Sequence, residues 1–226
     1  MSPSIDTRRL VDVILGGVLL LVSAPLLALV AAVNWATSRR VFFRQTRMGL
    51  GLRPFAIFKF QTMIDGADAA GTVTARGDAR ITPLGRILRA TKLDEMPQLI
   101  NVVRGEMSLV GPRPLPPNEV AAIPPDLAHR MYTVRPGMTG VAQLAFAHEE
   151  QLLGGSRDPQ AMYFDVVLPE KVALELAYAR RRTWATDLAI LVLTPIAGVS
   201  PRLARAAAAR LAPRSPTASS SSASAV

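Results

Sequence analysis

Cysteine is absent from this 226-residue chain, and only two histidines occur. The first absence excludes disulfides, thiolate-held metals and a cysteine nucleophile, and it fits a reducing compartment. The scarcity of histidine disfavours a zinc site. Aromatic residues make up 5% of the chain, so few rings are placed to stack nucleic-acid bases. No internal repeat is visible. What is abundant is apolar and basic: 50% hydrophobic residues and a formal net charge of +9. A chain of this length holds one good core with a small appendage. Its charge asks for an anionic partner: nucleic acid, anionic lipid or a phosphorylated substrate.

Residues 10–35, LVDVILGGVLLLVSAPLLALVAAVNW, are almost wholly apolar. The run exceeds the ~20 residues a helix needs to span a bilayer. It is too long for a signal peptide and lacks a clean small-residue cleavage site. Pro25 interrupts it, removing a helix hydrogen bond, and Ser23 is placed to bond a carbonyl freed by that break. Arg8 and Arg9 precede the run, and Arg39 and Arg40 follow it. Basic flanks mark cytoplasmic ends. Two such flanks are met most simply by a re-entrant helix that enters, bends near Ser23 and Pro25, and leaves by the same face. A kinked bitopic span is the alternative.

Downstream, VFFRQTRMG and FAIFKFQTM flank a turn at Gly49–Gly51. Both are short, aromatic and β-prone, which predicts a small hairpin carrying Arg44, Arg47 and Lys59. Residues 64–83 are polar and rich in Gly and Ala, as in an irregular loop. Leu84, Ile87 and Leu88 then fall at the spacing of a short amphipathic helix.

The stretch from Gly85 to Pro114 carries the most chemistry. Asp94 and Glu95 stand side by side, followed by Pro97, a helical pattern at Leu99, Val102 and Val103, and Gly105 as the stop. The acids thus sit at or just before a helix N-terminus. Complementing the helix dipole is one reading of them. Chemistry is the other, because Arg86, Arg89 and Lys92 lie close by and Arg113 is fixed between Pro112 and Pro114. Paired carboxylates flanked by cations suit a metal-assisted reaction on phosphate, with arginines gripping oxygens bidentately.

Residues 115–134 read as Pro-rich and then helical. RPGMTGVAQ follows, with a turn at Pro136-Gly137 and a Gly140 that permits close backbone approach. Lys171–Tyr178 reads as a helix, and a basic cluster with Trp184 precedes the apolar run Leu188–Leu193. That run is too short to span; it suits a helix lying in the headgroup layer or an ordinary core helix. Residues 202–212 read as helical, and the Ser/Ala tail from Pro213 as disordered. His148, alone in a polar stretch, reads as a surface residue.

LDEMPQLINVVRGEMSLVGPRP resembles the bacterial sugar transferase family, the monotopic polyprenyl-phosphate phosphoglycosyl transferases. The likeness extends to Arg44, Gln45, Arg47, Gly49, Lys59, Phe60 and Met63, and to the run ending at Gln143. It departs at Gln61 and Thr62, at Val141-Ala142, and at Ala24, which separates Ser23 from Pro25. The resemblance implies transfer of sugar-1-phosphate from a UDP-sugar to a polyprenyl phosphate such as undecaprenyl phosphate, releasing UMP. This is the initiating membrane step of exopolysaccharide, O-antigen or glycoconjugate assembly. It implies Asp94 as nucleophile, forming a phosphosugar-aspartyl intermediate, with Glu95 beside it and Mg²⁺ held by Asp94 and Glu95. Arg89 matches the family's arginine five residues before that Asp. Arg113, Lys59, Arg44, Gln45, Arg47 and Gln143 are the further substrate-binding candidates, with Ser23 and Pro25 as the membrane hinge.

The expected fold is mixed α/β and mostly helical: a re-entrant helix over 1–40, a compact cytoplasmic catalytic domain over 41–200 with a β-hairpin and amphipathic interfacial helices, and an Ala/Arg helix with a tail over 201–226. The expected location is the cytoplasmic face of the bacterial inner membrane. The expected partners are UDP-sugar, polyprenyl phosphate and the bilayer, without nucleic acid; a homodimer is compatible but not required. The competing function is a membrane-tethered basic binding module without catalysis. Against it, the basic residues are interspersed with Gly and Pro rather than gathered into a run.

Overall fold

The computed structural model describes residues 6–67, 73–74 and 77–212. The disordered-tail expectation, and part of the loop expected over 64–83, lie outside these residues.

Apolar character keeps α1 (Thr7–Ser38) helical for 32 residues, with Pro25 inside the helix. Asp6 caps its start, accepting from the Arg9 N–H. By length and composition it is the one helix among the described residues that could cross a membrane. Its middle is bare, with Leu21 and Val22 76% and 75% exposed. Its two ends are not. Near the start, Arg9 donates to the carbonyls of Val102 and Val103. One turn on, the Asp12 carboxylate accepts from Ser108 Oγ at 2.6 Å and from the Leu109 N–H at 2.9 Å. Near the far end, Asn34 Nδ2 donates to Gln61 O at 3.2 Å, and Val30 packs with Phe60 and Leu88. Both ends therefore rest on one globular body.

The hinge expectation needs one correction. Pro25 has no N–H, so the carbonyl it deprives is that of Leu21, four residues earlier. Ser23 Oγ donates instead to Leu19 O at 2.7 Å and Leu20 O at 3.3 Å. It bonds the turn behind itself and leaves the freed carbonyl alone.

The expected hairpin forms: β1 (Phe42–Met48) pairs antiparallel with β2 (Pro54–Phe60). A 3₁₀ turn (Leu50–Leu52) connects them, with Gly51 at φ 61°. Thr82 Oγ1 accepts the Gly85 N–H at 2.9 Å and starts α2 (Pro83–Ala90). Leu88 is buried there, but Ile87, expected on the same apolar face, is 61% exposed. A 3₁₀ turn over Leu93–Gln98 follows, entered through Lys92 at φ 58°, and it runs into α3 (Leu99–Arg104). Pro97 lies in the 3₁₀ turn rather than in the first turn of α3. Gly105, at φ 90°, ends α3 in the left-handed conformation that glycine adopts without strain.

Ser108–Val110, just before the turn that holds Arg113, is a strand. This β3 pairs parallel with β4 (Gly137–Thr139). Between them run α4 (Pro117–Ala121) and α5 (Pro125–Met131), the long crossover a parallel pair requires. The Gly111 turn and the Pro136–Gly140 segment meet backbone on backbone. A Cβ on Gly140 would stand 2.3 Å from Gly111 O, and one on Gly137 2.0 Å from Gly111 N. The close approach expected of Gly140 is present.

Among the described residues six short or medium helices follow: α6 (Val141–Ala145), α7 (Glu149–Gly154), α8 (Pro159–Met162), α9 (Leu168–Arg181), α10 (Trp184–Val199) and α11 (Pro201–Leu211). A π-helical turn over Tyr163–Val167 joins α8 to α9. The principal core gathers Leu99, Val102, Met107, Tyr132, Val141, Leu144, Leu168 and Tyr178. On α10, Trp184, Leu188, Val192 and Ile196 recur every four residues and are all exposed, while Ile190 is fully buried. Ala204 and Ala208 of α11 are fully buried, and α11 packs on α6 and α10.

Candidate active site

The 3₁₀ turn before α3 presents Asp94 and Glu95 to the hairpin. The register pairs Phe43 with Lys59, Ile57 with Gln45, and Phe55 with Arg47. Directly opposed residues share a sheet face, so Lys59, Gln45 and Arg47 point to one side. Lys59 Nζ donates to Glu95 Oε1 at 2.7 Å. Arg113, on the turn after β3, reaches the same oxygen through Nη2 at 3.4 Å. Arg47 Nη1 donates to Pro114 O at 3.1 Å, and its Nη2 to Gln45 Oε1 at 2.6 Å. The hairpin thus supplies a cation to the acid pair and braces the turn that bears Arg113.

The two carboxylates differ electrostatically. Burial works against the charge of Glu95, but Lys59 and Arg113 outweigh it and hold the group well below the usual carboxylate range. Asp94 is 8% exposed. Burial, and then the neighbouring Glu95 charge, push its carboxyl up to about 6 against the pull of Lys59, Arg89 and Lys92. Among the described residues its Oδ1 has no hydrogen-bond partner. A buried carboxylate oxygen left unsatisfied is costly unless something it binds completes it.

That orphan oxygen fits a divalent cation. Among the described residues no cluster of three or more His, Cys, Asp or Glu could cage a metal. Mg²⁺ does not need one: it is held by one or two carboxylates together with substrate phosphates. Glu95 Oε1 is already taken by two cations, which leaves Asp94 the better-placed ligand of the pair.

The remaining candidates divide. Arg89 influences Asp94 electrostatically, but its guanidinium pairs with Glu150 of α7 at 2.8 Å. Gln143 sits on α6; neither atom of its buried amide group has a hydrogen-bond partner among the described residues. Arg44 does not join. It lies on the opposite hairpin face and stacks 4.9 Å over the Phe58 ring. Ser23, half-buried, and Pro25, exposed, lie in the middle of α1. His148 is half-buried, and its Nδ1 contacts Gln151 at 3.1 Å.

Several residues escaped the sequence reading. Tyr132 Oη donates to Arg113 O at 2.9 Å and accepts the Leu115 N–H at 2.9 Å. Glu175 of α9 is buried and accepts the Arg113 N–H through Oε1 at 3.3 Å. Lys171 pairs with Glu149, and Tyr163 Oη donates to the buried Glu119 at 2.6 Å. One signal was available. Lys171, Leu174, Glu175 and Tyr178 recur at i, i+3, i+4 and i+7, so two charges lie on the face that should be apolar.

The family model described as Bacterial sugar transferase matches residues 4–200. The chain belongs to that family. It is 41% identical over 199 residues to a UDP-glucose:undecaprenyl-phosphate glucose-1-phosphate transferase of Caulobacter vibrioides, covering 84% of this chain and 69% of the relative. It is 40% identical to an undecaprenyl-phosphate glucose phosphotransferase of Komagataeibacter xylinus, across 83% of this chain but 35% of that protein. A relative from Aeromonas hydrophila, 34% identical across 62% of this chain and 34% of its own length, carries the name of an N-acetylgalactosaminephosphotransferase.

Proposed function

We propose that the protein transfers sugar-1-phosphate from a UDP-sugar to a polyprenyl phosphate, undecaprenyl phosphate in the first instance, at the cytoplasmic face of the inner membrane. The observation that carries the reading is Asp94: a buried carboxylate with an unpartnered oxygen, next to an acid already claimed by Lys59 and Arg113. The relatives' names support the reaction class. They differ in the sugar, so the donor is assigned here only as a UDP-sugar.

Asp94 attacks the β-phosphorus. An oxygen–phosphorus bond forms to the carboxylate, and the bond to the α-phosphate oxygen breaks, releasing UMP with its electron pair. A phosphate oxygen of the lipid then attacks the same phosphorus and returns Asp94 to its free carboxylate, giving the polyprenyl-diphosphate sugar. The nucleophile splits one displacement between anions into two. Burial raises the Asp94 carboxyl, and Lys59, Arg89 and Lys92 pull it back toward the carboxylate that attacks. Polyprenyl phosphate is itself ionised near neutral pH, so the second attack needs little general base. Glu95 fixes Lys59 and Arg113 where the diphosphate oxygens arrive, and Arg113 offers a planar fork to them. Mg²⁺ held by Asp94 and the substrate would supply charge screening at phosphorus.

The lipid acceptor has to meet this site at headgroup height. The reading of α1 as re-entrant is supported by the attachment of both its ends to one body, by Arg8, Arg9, Arg39 and Arg40, and by Pro25. The exposed stripe on α10, with the Arg8 guanidinium 5.1 Å from the Trp184 ring, supports an interfacial position for that helix.

The test is covalent. Enzyme given UDP-sugar and Mg²⁺ without lipid should release a burst of UMP no larger than the amount of enzyme. Label from the β-phosphate should stay on the peptide containing Asp94 and leave when polyprenyl phosphate is added. Asp94→Asn should abolish turnover and labelling while the protein still inserts. An active preparation that shows neither burst nor label makes direct transfer in a ternary complex the better account.

A further inference from the structure

Resting on that reading of the reaction, we infer that Glu175 is a positioning residue that fixes Arg113 and α6 relative to each other. Pro112 and Pro114 have no N–H. The Pro-Arg-Pro turn therefore owns a single backbone donor, the N–H of Arg113, and Glu175 Oε1 takes it at 3.3 Å. The carbonyl of the same residue is held from another side by Tyr132 Oη at 2.9 Å. Arg113 is clamped at both backbone polar groups by side chains from α9 and from Tyr132, the residue that follows α5, while its guanidinium points to Glu95.

The same carboxyl reaches a second segment. Ala142 lines the same small cavity as Glu175, and its backbone N–H favours the charged form of that carboxyl. Ala142 precedes Gln143 on α6, and its segment already abuts the Gly111 turn through Gly140. One buried side chain thereby joins two segments that carry substrate-binding candidates. Glu175 lines a small cavity with Arg113, Leu115, Met131, Ala142, Lys171 and Val172. Its Oε2 has no hydrogen-bond partner among the described residues. The titratable and charged groups around it are Arg113 of the turn, Lys171 and Tyr178 of its own helix, and Tyr132 just past α5. Burial dominates over these and raises its carboxyl to about 8. What it contributes at neutral pH is accordingly an acceptor oxygen in a fixed place, a role an amide can fill.

The experiment uses the full chain in lipid nanodiscs and has two independent readouts. The first is hydrogen exchange at single-amide resolution without substrate. Glu175→Leu should speed exchange at Arg113 and Ala142. Gly111 and Leu115, whose N–H groups are held by Thr139 O and Tyr132 Oη, should keep wild-type rates. The second is kinetics: Glu175→Leu should raise KM for the UDP-sugar roughly ten-fold, as loss of a buried hydrogen bond predicts. Glu175→Gln should restore both readouts to within about three-fold, because its amide oxygen accepts the same N–H. Wild-type exchange at Arg113 and Ala142 in the Leu variant overturns the inference, as does uniform acceleration across the chain. A Gln variant as impaired as Leu overturns it too. Failure of the transferase reading would show separately, as absence of UMP release by the wild-type enzyme, and would leave the exchange result standing.

Discussion

Glu175 also shows how a buried acid ties stability to pH. Its folded pKa of about 8 lies above its ordinary 4.5, so the folded state holds the proton more tightly than the unfolded chain does. The stability this brings is complete below about 4.5 and is lost as pH rises through about 8. The unfolding midpoint of the wild type should therefore fall between pH ~6 and pH ~9 by more than that of Glu175→Gln, which has no proton to lose. Equal falls in the two proteins would mean that Glu175 is charged in the folded state at neutral pH. The acid pair was legible in the sequence because two adjacent carboxylates among arginines are a local pattern. Glu175 was not, because its meaning depends on Arg113, 62 residues away. Arg44 misled for a related reason. Whether it shares a face with Lys59 is a matter of hairpin parity, and one residue more or less in the turn reverses it.

At the scale of elements, α1 is the one whose sequence understates its structure. Its apolar run announced a membrane segment, while Asp12 and Asn34 within the run went unused in the reading. Polar side chains in such a run are functional or structural by default, and here each bonds the globular body. Asp12→Leu would extend the apolar run and strip Ser108 Oγ and the Leu109 N–H of their partner. Each buried donor left unsatisfied costs about 1–3 kcal/mol. The variant should still partition into membranes but unfold at a lower temperature; an unchanged midpoint would mean that Asp12 is not what docks α1. The hairpin, α2 and the Gly105 stop were legible because turn chemistry and capping are local. The β3–β4 pair was not. Three residues a side carry no strand signal, and what joins them is the contact of Gly111 with Gly137 across a crossover.

For the whole molecule, the topology can be tested directly. Cysteines introduced by Ser2→Cys and Ser38→Cys, in a chain with no other thiol, should both react with an impermeant reagent from the cytoplasmic side of sealed vesicles. Labelling from opposite sides would establish a bitopic span and remove the basis for a site at headgroup height.

The double attachment of α1 has a mechanical consequence. An ordinary membrane helix answers a thicker bilayer by tilting, at a small cost for each ångström of mismatch. A helix tied at Asp12 and again at Asn34 to the same globular body lacks that freedom. Inserted as proposed, the protein would behave as a gauge of fixed depth, and it is the lipid that would have to thin or swell to meet it. Any strain from a mismatched membrane falls on the lipids beside the site, the population from which a phosphorylated acceptor would be drawn.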